Sequence, residues 1–183
     1  MTLDYQNMTL ERASELIKQK SISPVDLVMA YLDKIQKLNT VLNMYVTVAA
    51  ESAMKDARRS EEEILRGEYR GSLHGIPVSV KDIFYTQGIR TTFGEKRLEN
   101  FIPDYDAAVV ERLKGAGAVL VGKTNPLYGE YFPEPEYNLC KNPWDLDRLA
   151  GYSSSGAAAA VAVGADLASI GSDGGGSVRY PAA

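Results

Sequence analysis

The chain is 183 residues long, 45% hydrophobic and 24% charged, the make-up of an ordinary soluble domain able to bury a sizeable core. A formal charge of -4 provides no basic face for neutralising phosphates, which argues against direct nucleic-acid binding and against docking on anionic membranes. The single cysteine, Cys140, excludes an intrachain disulfide and a cysteine-paired zinc site and fits a reducing compartment, so the expected location is the cytoplasm.

Asp4, Glu11 and Glu15 interrupt the start of the chain, so no secretory core is expected there, and no later run is long and apolar enough to span a bilayer. Leu10, Ala13, Leu16 and Ile17 fall at helical spacing and predict a helix over 9–20. A second helix, carrying Leu27, Val28, Tyr31, Leu32, Ile35 and Leu38 inward, is given a defined start by Ser23 as N-cap and Pro24 at the first turn. A third, more charged helix is expected over 49–65. Residues 1–66 thus read as a helical lead-in. Beyond Gly67 the texture changes to short apolar runs, IPVSV, AVLVG and DLASIG. They alternate with helical segments at 107–113 and 157–163, which makes 67–183 an α/β part of the same single domain.

Gly and Ser concentrate in two loops, GYSSSG at 151–156 and GSDGGGS at 171–177. Taken alone, Gly174, Gly175 and Gly176 fit either a surface turn or a loop whose main-chain N–H groups face a bound anion. Lys81, after the apolar IPVSV, likewise reads either as a solvated strand-end lysine paired with Asp82 or as a lysine held uncharged by burial.

Together with those loops, LHGIPVSVKD at 73–82 and KNPWD at 141–145 stand in an order and spacing that resembles the amidase signature family, from Ser72 to Ala183. The resemblance implies an α/β amidase signature fold, a mixed sheet flanked by helices. Relatives run to several hundred residues, so the sequence matches the amino-terminal part of such a domain, and the carboxy-terminal part is expected to be absent. Lys81, Ser153 and Ser177 match the family's Ser-Ser-Lys triad, the two serines lying 24 residues apart as its pattern requires. In those roles Ser177 is the nucleophile, Ser153 the proton relay and Lys81 the base. Backbone N–H groups of Gly174, Gly175, Gly176 and Ser177 would form the oxyanion hole, and Ser154, Asp173 and Arg179 would support the loops.

By the same resemblance, the reaction is hydrolysis of a carboxamide through a seryl acyl-enzyme, without metal or organic cofactor, on a small-molecule amide. One alternative is the subunit of a glutamyl-tRNA(Gln) amidotransferase that makes ammonia from glutamine for its partner subunits. Another is an inactive remnant. Two positions depart from the family's Gly-Gly-Ser-Ser-Gly-Gly loop: Tyr152 and Ser155 replace glycines. The family's relay serine follows a cis peptide bond, which a bulky Tyr152 is expected to crowd.

Four other features carry weaker signals. GAVLVGKT at 117–124 fits the P-loop expression, but Ala118 to Val121 read as a strand where a phosphate loop should be, and Asn125-Pro126 discourages the following helix. Ser52 and Lys55 fit Ser-x-x-Lys without companion motifs. His74, the only histidine, is expected to be structural, and Trp144 to be a packing anchor.

Overall fold

The structure is a computed structural model that describes residue 5, residues 8–127 and residues 139–183. Helix α1 (Leu10–Lys18) is capped by Thr9, whose hydroxyl accepts the Arg12 N–H, and α2 (Pro24–Leu42) by Ser23, which accepts from Val25 and Asp26. The left-handed Asn43 ends α2 and turns the chain into β1 (Tyr45–Val48). This strand lies inside the stretch read as purely helical. Its four residues carry no two-residue alternation of burial, so no strand signal stands out.

Helix α3 (Ala50–Leu65) follows, then β2 (Pro77–Lys81), α4 (Ala108–Gly115), β3 (Val119–Thr124), a hairpin of β4 (Lys141–Asn142) and β5 (Asp145–Leu149), α5 (Ser155–Ala162), β6 (Ser169–Ile170) and α6 (Arg179–Ala182). The main sheet has the order β1-β3-β2-β6. β2 runs parallel to β3 and β6, while β1 is antiparallel to β3, so the sheet is mixed. Every residue of β2 and β3 is buried, as expected for parallel strands covered on both faces.

One face packs Val119 and Val121 against α2, α3 and α5 through Val28, Ile35, Ala53, Ala57, Ala159 and Ala160. The other packs Val78, Val80 and Leu120 against α1, α2 and α4 through Ile17, Leu27 and Val110. A bulge between Val78 and Ser79 resets the register so that Val80 pairs with Lys123 and Lys81 with Thr124. Paired residues share a face and successive residues alternate, so the two buried lysines of this sheet leave it on opposite sides.

Trp144 corrects an expectation. It sits at the turn of the β4–β5 hairpin and is 77% exposed, so it belongs to neither buried core cluster of the described residues. A two-residue connection between short exposed strands offers no interior for an indole to enter.

Candidate active site

Lys81 ends β2 with its side chain fully buried on the α5 side of the sheet. Its Nζ donates to the Ser153 hydroxyl at 2.7 Å and to the Ser172 hydroxyl at 3.0 Å. Burial lowers the amine from its ordinary range to about 8, opposed by the carboxylate of Asp173. Both of these hydroxyls are neutral, so neither offsets the cost of burying an ammonium as a carboxylate would.

The loop that carries Ser153 enters through Gly151, whose positive φ and close approach to Pro181 leave no room for a side chain. The Tyr152–Ser153 peptide bond is cis. Tyr152 does not crowd it, because the ring leaves toward solvent, 54% exposed, and stacks on Tyr180 with ring centroids 6.1 Å apart. Ser153 is fixed by its carbonyl, which accepts from Leu127 N–H at 2.9 Å. Ser155, the other residue in a glycine position, starts α5 fully buried with its hydroxyl 3.4 Å from the Asn125 carbonyl.

Ser154 ties the two loops together. Its N–H donates to the Ser177 carbonyl at 3.0 Å, and its hydroxyl donates to the Ser172 carbonyl at 3.2 Å while accepting the Ser172 N–H at 3.3 Å. Asp173 organises the rest. Its carboxylate accepts from the N–H groups of Gly176 at 2.6 Å, Val178 at 3.2 Å and Arg179 at 3.2 Å, and from the Arg179 guanidinium at two points, each 3.0 Å. The Arg179 bonds, followed by the backbone donors, hold this carboxyl far below the usual carboxylate range.

That arrangement alters the expected oxyanion set, since the Gly176 N–H is already given to Asp173. The N–H groups of Gly174, Gly175 and Ser177 form no hydrogen bond among the described residues, and the space around Gly174 and Gly175 is open. Ser177 is half-buried. Its hydroxyl and that of Ser153 are not hydrogen-bonded to each other; the two loops are joined through Ser154. Beside them an apolar cavity of about 350 Å³ opens between Trp144, Ala157, Val161, Val178 and Pro181.

The remaining sequence features find structural explanations. Lys123 is buried in β3 and donates at 2.6 Å to both the Phe84 carbonyl and the Thr91 hydroxyl, with the Asp82 carboxylate 3.5 Å away. Its neighbours in 117–124 are a strand, so no phosphate loop exists. His74 accepts the Arg70 N–H at Nδ1, which leaves the proton on Nε2, 3.0 Å from Glu63. Burial lowers its pKa, and it lies in the α3 interface away from Lys81. Ser52 and Lys55 are exposed on α3. Ser172 is a site residue that the sequence reading missed, although parallel pairing of the DLASIG strand with IPVSV would have brought it beside Lys81.

With the geometry in view, the chain can be set beside known proteins. It is 47% identical over 179 residues to a glutamyl-tRNA(Gln) amidotransferase subunit of Carboxydothermus hydrogenoformans, an alignment covering 96% of this chain and 37% of the relative. The corresponding subunit of Anaeromyxobacter sp. is 47% identical over 177 residues, covering 95% of this chain and 36% of the relative. The crystal structure of the peptide amidase of Stenotrophomonas maltophilia superposes with a TM-score of 0.88 at 32% identity, covering 98% of this chain and 39% of that one. The chain therefore spans a little over a third of the length of the relatives it matches. The family profile described as Amidase matches residues 26–183, and the chain belongs to the amidase family.

Proposed function

We propose that the protein carrying this segment cleaves the C–N bond of a carboxamide by acyl transfer through Ser177. The Ser177 oxygen attacks the amide carbonyl while its proton passes to Ser153, whose own proton passes to the neutral Lys81 amine. The proton returns to the leaving nitrogen as the C–N bond breaks, and water then releases the acid from the acyl-serine. The N–H groups of Gly174, Gly175 and Ser177 are the donors for the tetrahedral oxyanion. The observation that carries the reading is the fully buried Lys81 amine, 2.7 Å from a serine on the loop facing the nucleophile's own. A lysine in that setting has chemistry to do.

A second reading is carried by the 47% identity to a glutamyl-tRNA(Gln) amidotransferase relative. In it the amide is the side chain of glutamine, and the ammonia passes to a partner subunit. Direct nucleic-acid or membrane contact forms no part of either reading. A cytoplasmic setting suits both, since the lone cysteine, Cys140, is a free thiol.

The test is fluorophosphonate labelling of the full-length protein with mapping of the modified residue, followed by assays of ammonia release from glutamine and from simple amides. Labelling at Ser177, lost in Ser177→Ala, supports the mechanism, and the preferred amide separates the two readings. Amide hydrolysis that persists undiminished in Ser177→Ala overturns it.

A further inference from the structure

We infer that Ser172 is a positioning residue for the base, its hydroxyl oxygen taking one N–H of the Lys81 amine so that the lone pair is held toward Ser153. The inference rests on the reading of Lys81 as base. It assigns a task to a hydroxyl outside the triad.

The need for such a residue follows from the amine itself. A neutral amine carries two N–H donors and one lone pair, and it turns freely about the Cε–Nζ bond unless its hydrogens are engaged. Only when the lone pair faces Ser153 can that serine's proton move onto nitrogen. Nζ lies within hydrogen-bond reach of both hydroxyls, 2.7 Å from Ser153 and 3.0 Å from Ser172, so once the amine is neutral an N–H kept on Ser172 leaves the lone pair to turn to Ser153.

Ser172 is held in place from two directions. β6 pairs in parallel with β2, Ser79 beside Ser169 and Val80 beside Ile170. The next step along both chains brings residues 171 and 172 alongside Lys81 at the strand ends. There the Ser154 hydroxyl grips the Ser172 backbone at both its N–H and its carbonyl. Gly171 permits this close approach, since a Cβ there would lie 2.8 Å from the Ser154 oxygen. The hydroxyl is therefore delivered to the amine by the sheet and by the same serine that binds the Ser177 carbonyl.

Two consequences separate positioning from simple structural support. Losing the acceptor removes one of the contacts that orient the amine, so kcat falls while KM, set by the substrate pocket, stays. Losing it also removes a hydrogen bond that favours the ammonium, so the amine deprotonates at lower pH and the acid limb of the rate profile moves down.

The experiment measures kcat, KM and the pH dependence of kcat/KM for amide hydrolysis by the full-length protein and its Ser172→Ala and Ser172→Thr variants, with thermal midpoints recorded for each. Ser172→Ala is expected to lose about 10- to 100-fold in kcat. Its acid limb should move down by about one pH unit. Ser172→Thr, which keeps the hydroxyl, should restore both. If Ser172→Ala does not fold, Ser172→Cys keeps the volume without a strong acceptor and reads the same two quantities. A folded Ala or Cys variant with the parental kcat and limb overturns the inference, as does a Thr variant that folds yet behaves like Ala. Lys81→Ala is the control: if it retains activity, the reading of Lys81 as base fails first, and this inference with it.

Discussion

The Lys81 amine and the Ser153 hydroxyl meet at 2.7 Å from positions 72 residues apart, one ending a buried parallel strand and the other entering an alanine-rich helix. Burial is the larger influence on the amine, and the Asp173 carboxylate opposes it. A first group of expectations follows from that electrostatic setting.

Because the amine must be neutral to accept a proton and burial lowers it to about 8, kcat/KM should rise with pH through that value and level off above it. The sign for stability is related. The unfolded chain keeps this lysine protonated to its ordinary value of 10.5, so between about 8 and 10.5 the unfolded state binds more protons and stability rises with pH. Below 8 both states are protonated and the penalty for the buried ammonium is fully present. Denaturant midpoints across this window should show a shallower rise in Lys81→Met than in the parent, by at most ~1.4 kcal/mol per pH unit. Parallel curves would show that the amine is not shifted.

Lys123 should matter for folding and not for phosphate. Its amine is held by Phe84, Thr91 and Asp82 inside the opposite face of the sheet, and no phosphate can reach it there. Lys123→Ala leaves the buried Asp82 without its cation and is expected to cost about 3–5 kcal/mol. Calorimetric titration of the parent with magnesium-ATP should give no saturable heat. Binding that saturates and disappears in a folded Lys123→Gln would reverse the assignment.

Asp173 gathers five hydrogen bonds from residues 176–179 and so fixes the turn that carries Ser177. Asp173→Ala should release that turn and lower the rate of fluorophosphonate labelling at Ser177 by about 100-fold, since small misplacements of a reacting atom are costly. Arg179→Ala removes two of the five and should do less. A labelling rate equal to the parent in folded Asp173→Ala would show that the loop holds its shape by other means.

Gly156 lets α5 begin against the ends of β1 and β3. A Cβ at this position would stand 2.2 Å from the Met44 carbonyl and 2.5 Å from the Asn125 nitrogen, both of them backbone atoms that cannot swing aside. Gly156→Ala is therefore expected to destabilise by about 1–3 kcal/mol. Because α5 follows directly on Ser153 and Ser154, activity should fall with it. A denaturant midpoint unchanged from the parent would mean that the helix can back away from the sheet.

The sequence by itself determined the family, the α/β alternation and the identity of the two loops, because these are written in local chemistry. Apolar runs bounded by glycine declare buried strands, Ser23-Pro24 declares a helix start, and the motif strings keep their order whatever the chain does in space. Tertiary structure decided what depends on register and on which atoms meet. β1 was illegible because a four-residue strand gains its identity only from the ladder it makes with β3. The bulge between Val78 and Ser79 sends Lys81 and Lys123 to opposite faces, which no residue-type pattern announces. Tyr152 read from the sequence as a bulky residue crowding the peptide bond before Ser153, yet its ring has Tyr180 to stack on, a partner 28 residues away that only the fold supplies. Ser172 was one serine among several in a glycine-rich loop until parallel pairing of β6 with β2 carried it to the Lys81 amine. Short-range preferences fix elements, whereas the contacts that make a site are long-range and exist only once the sheet has set its register.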